Sequence, residues 1–259
     1  MIYIAFLLFT FFVLAFAFYQ FQHFMIFTPT YYRGEELDDA FELLSVTTDD
    51  GVELEGVVYE PCDLYRKLPI VDKTLLFFAG RSHDSVGLIK RLSNEFPHAR
   101  IITFNYRSYG KSGGRVSEKN ILEDGLKIAQ LVKKNYGDFY ILGFSIGSIV
   151  AAYIGSKMRV HGVFLVGSFD SIANLIKEKY GINIAWLLRF KFDNTKYVKD
   201  IEDKTYIFAS KDDKTTYIKN SRNLKTYVKN LEYYMELENL THKELLWDKK
   251  VVEYIKRII

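Results

Sequence analysis

The chain is poor in the residues that mark several protein classes. A single cysteine, Cys62, in 259 residues excludes an internal disulfide framework. No group of cysteines and histidines has zinc spacing, so no metal is expected. Four prolines leave no Pro-rich linker, and no internal repeat is visible. Thirty-five Lys and Arg against 32 Asp and Glu give a net charge of +3 without a basic run, which argues against a nucleic-acid partner. No Lys or Arg precedes Arg33.

Apolar residues, by contrast, make up 49% of the chain and aromatics 16%. Many lie in Ile2–Tyr19, an unbroken uncharged run. As a helix it would span about 27 Å, close to the ~30 Å of a bilayer core. A helix apolar on every side has little to pack against at a chain terminus, which argues against a core helix. Ala15-Phe16-Ala17 resembles a signal-peptide cleavage site, but the basic region that begins a signal peptide is missing. Residues 1–27 therefore read as a transmembrane anchor, and 28–40, with Glu35, Glu36, Asp38 and Asp39, as a linker. The scarcity of Lys and Arg after the span points to a domain on the non-cytoplasmic side.

From Phe41 onward strands alternate with helices. Leu43–Thr48 and Val52–Tyr59 flank Asp49-Asp50-Gly51, a hairpin signal. Apolar strands are expected near Leu75–Phe78, Ile101–Phe104, Phe139–Leu142, Val163–Val166, Tyr206–Ala209 and Leu231–Leu237. Helices are expected over Val86–Phe96, Glu118–Tyr136, Ile146–Met158, Tyr217–Val228 and Leu245–Ile259. Ile172–Phe190 reads as short helices, and about 169–194 as a small cap. Such alternation implies one α/β domain over 41–259, with a mostly parallel sheet covered on both faces.

Gly143-Phe144-Ser145-Ile146-Gly147 fits G-x-S-x-G, and it follows an apolar strand and opens a helix. That is the strand–turn–helix setting of the nucleophile elbow in α/β hydrolases. The turn is tight, so Gly143 and Gly147 let strand and helix approach. Ser145 is the candidate nucleophile, at the positive end of a helix. A serine nucleophile needs a base and an acid that orients it, in the chain order Ser, Asp or Glu, His. Of five histidines, only His242 lies in a loop after a late strand and before the last helix. Either Asp212 or Asp213, just after Tyr206–Ala209, suits the acid, with Asp170 a third choice. For the two backbone donors of an oxyanion hole, Ile146 follows the nucleophile and Arg81 follows an early strand.

Further segments carry a resemblance. Asn105-Tyr106-Arg107-Ser108-Tyr109-Gly110-Lys111-Ser112 resembles the D-Y-R-G-Y-G-x-S segment of a group of membrane-anchored α/β hydrolases. Bacterial members of that group are often labelled serine aminopeptidase-like, and its eukaryotic relatives include protein depalmitoylases. Ser117-Glu118 with Asp124-Gly125, the strand and loop LLFFAGRSHDSVG, and Ile26-Phe27-Thr28-Pro29-Thr30-Tyr31 look like the same group. Carried over by position, the resemblance implies Ser145 as nucleophile, Asp213 as acid, His242 as base, and Arg81 and Ile146 as oxyanion donors. Ala79, Arg81 and Ser210 depart from the group's usual His, Asn and Gly. Arg81 would bring a cation to the pocket mouth and favour anionic substrates.

The expectation is thus an α/β-hydrolase fold with an N-terminal transmembrane helix and a small cap. The expected activity is a membrane-anchored serine hydrolase of esters or thioesters, working on a small-molecule or lipid-like acyl substrate without a cofactor. Trp186, Leu187, Leu188 and Phe190 of the cap form an apolar set suited to acyl chains. The alternatives are a serine peptidase or amidase on the same fold, and a non-catalytic scaffold. A P-loop reading of Tyr109–Ser112 fails because Asn105 stands where that motif needs glycine.

Overall fold

A computed structural model describes residues 2–31, 37, 39–63, 68–69 and 73–259. Arg33, Glu35, Glu36 and Asp38 of the expected linker lie outside the described residues. Helix α1, Ile2–Ile26, is long and apolar enough to cross a membrane. It runs past the apolar stretch, and its last turn buries Gln22, His23 and Ile26.

The central sheet has eight strands: β1 (Phe41–Thr47), β2 (Glu53–Tyr59), β3 (Lys73–Phe78), β4 (Ala99–Phe104), β5 (Tyr140–Phe144), β6 (Gly162–Val166), β7 (Thr205–Ser210) and β8 (Leu231–Leu237). Their spatial order is β1-β2-β4-β3-β5-β6-β7-β8. β2 pairs antiparallel with both its neighbours, and the pairings from β4 to β8 are parallel. A two-stranded ribbon, Cys62–Asp63 with Leu68–Pro69, stands apart from this sheet and was not expected from the sequence. The period-2 alternation of β3 divides the core: Leu76 and Phe78 join one apolar layer, Leu75 and Phe77 the other. β6 and β7 are buried along their whole length, as strands covered on both faces should be.

Helices α3 (Glu118–Tyr136) and α4 (Ile146–Lys157) supply apolar residues to the first layer. Helices α2 (Ile89–Glu95) and α9 (Lys249–Lys256) supply the second. In α3 the buried positions Ile121, Leu122, Ile128, Ala129 and Val132 form one stripe. Ser117 caps its start by accepting from the Asn120 N–H at 3.1 Å. The expected closing helix, Leu245–Ile259, is shorter, as α9, and an unexpected turn of helix, α8 (His242–Leu245), precedes it, so His242 opens a helix rather than lying in a loop. Two start signals explain the two separate starts. Thr241 and Glu244 form a capping box on α8, and Asp248 caps α9 by accepting from the Lys250 N–H at 2.9 Å. Between β6 and β7 lie α5 (Ile172–Tyr180), a 3₁₀ turn (Ala185–Leu187) and α6 (Thr195–Val198), and α7 (Ile218–Lys225) precedes β8.

Candidate active site

The candidate site lies at the C-terminal ends of the parallel strands, where ligand sites of open α/β sheets form. Ser145 sits between β5 and α4 with φ 56° and ψ −120°. A positive φ costs a non-glycine residue ~1–3 kcal/mol, so surrounding contacts must hold it. The Ser145 N–H donates to the Val166 carbonyl at 2.9 Å, and Ser148 donates to the Ser145 carbonyl from its N–H (3.0 Å) and Oγ (2.5 Å). A Cβ at Gly147 would stand 2.1 Å from the Phe78 carbonyl oxygen, and one at Gly143 would stand 2.3 Å from that of Gly147. These are backbone atoms that cannot give way, so the elbow closes only with glycine at both places.

His242 Nδ1 lies 2.7 Å from Asp213 Oδ2. Asp213 also accepts from the N–H groups of Thr215 (2.7 Å) and Thr216 (3.0 Å) and from Thr216 Oγ1 (2.6 Å). Burial alone would raise the Asp213 carboxyl, but bonding to His242 and Thr216 outweighs it and holds the pKa below the usual carboxylate value. Asp212 is exposed and accepts from the Asn239 N–H at 2.7 Å, away from the imidazole. Asp170 is buried and takes up amide donors of Asn174, Asn220 and Asn223. Geometry thus separates three carboxylates that sequence spacing left open.

The imidazole of His242 stacks on Phe144, with centroids 4.8 Å apart. Its other neighbour is Gly167, at φ +57°, where a Cβ would meet the ring at 3.0 Å. Gly167 went unnoticed in the sequence because it belongs to no motif. Ser145 and His242 line one cleft of about 330 Å³. Among the described residues, Ser145 makes no hydrogen bond to His242; apo sites often tighten only when substrate binds.

Ile146 opens α4, so its N–H is one of the donors that a helix start leaves without an intrahelical partner. The Arg81 N–H belongs to the peptide whose carbonyl, Gly80, accepts from the His83 N–H at 3.3 Å, which fixes that N–H to point the other way. The Asn105–Ser112 segment braces this loop. Tyr106 Oη donates to the Ala79 carbonyl (2.8 Å) and Tyr109 Oη to the Arg81 carbonyl (2.5 Å). Arg107 spans Asp124 and Asp50 through four short bonds. Their geometry raises its pKa beyond the ordinary arginine value.

Arg81 lines the cleft, but its Nη1 donates to the Met25 carbonyl (2.7 Å) at the end of α1, so the guanidinium is partly spent there. Lys179, Lys214 and Lys243 also line the cleft, and among the described residues no carboxylate does. The cap set of Trp186, Leu187, Leu188 and Phe190 does not line the cleft, which corrects the expectation. Leu188 and Phe190 are buried in packing and Trp186 is 72% exposed. The apolar lining comes instead from Ile26, Phe169, Ile172 and Leu175. His83 lines the cleft too, and burial lowers its pKa, favouring the neutral ring.

The strand order, the elbow after β5 and the paired Asp213–His242 after β7 and β8 define an α/β-hydrolase fold. Solved structures agree. An esterase of Pyrococcus furiosus, Pf2001, superposes with a TM-score of 0.66 at 16% identity, over 90% of this chain and 97% of that one. Est1E of Butyrivibrio proteoclasticus, solved with ferulic acid, gives 0.64 at 16% identity, over 83% and 96%. The esterase domain of a Rhodothermus marinus protein gives 0.61 at 14% identity, over 84% and 95%. No protein-family model matches the chain.

Proposed function

We propose that this protein is a membrane-anchored serine hydrolase of esters or thioesters, related to the membrane-anchored hydrolases whose Y-R-G-Y-G-x-S segment it resembles. The observation that carries this reading is the 2.7 Å Asp213–His242 pair in one cleft with a serine held at φ 56°. Ser145 Oγ attacks the acyl carbon while His242 Nε2 takes its proton, and Asp213 holds the Nδ1–H tautomer. Negative charge collects on the acyl oxygen, facing the N–H groups of Ile146 and Arg81. The tetrahedral species collapses, His242 returns the proton to the departing alkoxide or thiolate, and an acyl-serine remains. Water, deprotonated by the same imidazole, then releases the carboxylic acid and restores Ser145.

Helix α1 anchors the protein, with the catalytic domain on the non-cytoplasmic face. Protease digestion of intact and opened membranes tests the orientation, and degradation only in opened membranes would reverse it. The central test is fluorophosphonate labelling of the full chain in detergent beside its Ser145→Ala variant, with p-nitrophenyl esters of rising chain length. Labelling and turnover by the wild type alone are expected. A folded wild type that neither labels nor turns over would replace the enzyme with a binding protein on the same fold. The cationic rim predicts faster turnover of anionic than of neutral esters of equal length, and equal rates would remove the rim from the account.

A further inference from the structure

Helix α1 does not hang from a slack tether. Gln22 Nε2 donates to the Leu187 carbonyl (2.9 Å) and its Oε1 accepts from the Arg189 N–H (2.8 Å), which ties α1 to the cap. Phe27, 2% exposed, packs its ring against Phe190 and Phe192. Tyr109 Oη accepts from the Thr28 N–H at 3.2 Å, and the Thr30 carbonyl accepts from the Gly110 N–H at 3.0 Å. The domain therefore holds a fixed attitude to the helix. The apolar run ends at Tyr19, and Ile26, seven residues later, lines the cleft. At ~1.5 Å per residue the cleft lies within about 10 Å of the end of that run.

The cap loop that grips α1 also carries apolar side chains that, among the described residues, stay exposed. Tyr180 is 60%, Ile182 51% and Trp186 72% exposed, and Trp186 directly precedes the Leu187 carbonyl bonded to Gln22. Exposed cations flank them in the chain: Lys177, Lys179, Arg189 and Lys191. Glu178, within this set, is paired with Lys219 at 2.8 Å. The Arg189 guanidinium lies 5.8 Å from the Tyr19 ring centre, at the level where the apolar run stops. Tryptophan and tyrosine flanked by cations are the composition of a surface seated at an anionic lipid headgroup layer.

We infer that the cap loop Tyr180–Leu187 docks on the leaflet from which α1 emerges, so that the Ser145 cleft receives acyl esters resident in that leaflet. The inference rests on the membrane-anchored hydrolase reading. It adds a second lipid contact, continuous with the anchor, and a substrate class defined by where the ester resides. Docking sets the cleft mouth, with Ile26, Ile172 and Leu175, at headgroup height, so an acyl chain need not cross bulk water.

The test uses the full chain in phosphatidylcholine–phosphatidylglycerol vesicles. Trp186 and Trp247 are the two tryptophans, so Trp247→Phe leaves Trp186 as the only reporter. Brominated lipid is expected to quench Trp186 and to blue-shift its emission, whereas unquenched Trp186 overturns the inference. In parallel, Ile182→Ser with Trp186→Ser should lower turnover of a long-chain ester dissolved in the vesicles by about tenfold or more. Its turnover of a short soluble ester should stay unchanged, and retained vesicle turnover would count against docking. Three controls separate the readings. Release of the chain by alkaline carbonate removes the anchor and the inference together. Retention with unquenched Trp186 removes the inference alone. Quenched Trp186 without fluorophosphonate labelling leaves docking standing and removes the hydrolase.

Discussion

Asp212 and Asp213 are neighbours in the chain with opposite surroundings. Asp213 is 3% exposed and faces His242, while Asp212 is exposed and faces the Asn239 N–H. Replacing Asp213 with Asn removes the charge that stabilises an imidazolium and frees the wrong tautomer. The expected outcome is a fall in kcat of about 10⁴-fold. Asp212→Asn should change kcat by less than about twofold, since surface substitutions away from such contacts have small effects. Side-by-side ester kinetics of the two variants check this, and comparable losses would disprove the assignment of the acid.

Single elements are held by charges whose worth depends on burial. Arg107, 6% exposed, joins the bracing segment to Asp124, 8% exposed, on α3. Arg107→Ala would strand the Asp124 carboxylate and should cost about 3–5 kcal/mol, read as a lowered Tm. Arg107→Lys should recover only part of this, because an ammonium lacks the fork that spans two carboxylates. The pair between α7 and β8 is more exposed. Arg222 bonds Glu236 at 2.8 and 2.7 Å and is the first cause of a Glu236 pKa lowered to about 2. A depressed carboxylate adds stability above its unfolded pKa, ordinarily 4.5, and loses it as pH falls towards 2. With Arg222 half-exposed, solvent screens the pair and the effect is small. Glu236→Gln should flatten that acid limb of the stability curve, and an unchanged limb would rule the pair out.

For the molecule as a whole, the end of helix α1 and the α/β domain share one packing unit. A boundary after residue 27, natural from the sequence, would remove Phe27 from the core and the Gln22 clamp from the cap. Removing residues 1–19 leaves both in place. The shorter deletion should keep labelling at Ser145. The longer one should melt lower by the equivalent of about 3–5 kcal/mol, as for a lost core phenylalanine. Thermal melts of the two truncations check this, and equal Tm values would show that α1 ends are not part of the fold. A cleft of similar size at the start of β3 and β4, lined by Lys73, Phe96, His98 and Ala99, lies at the other end of the sheet and carries none of this chemistry.

The elbow, the helix α1 and most strands were legible in the sequence because each is a local pattern. A glycine pair around a serine, an apolar run, or a short apolar stretch between turns is set by neighbours a few residues apart. Element ends shifted where caps intervened, as at Thr241 and Asp248 between the last two helices. What joins distant residues was not legible. Spacing cannot tell Asp213 from Asp212, because the difference lies in which one the fold buries against a histidine 29 positions away. Nor can it show Gly167 beneath the His242 ring, Ile26 at the cleft, or Trp186 turned outward. Sequence determined the elbow and its order in the chain, while only tertiary packing decided which carboxylate faces the imidazole and where helix α1 meets the cleft. The physical reason is range: backbone propensities and apolar periodicity act over a few residues, and burial and hydrogen-bond partners are fixed only when separate elements meet.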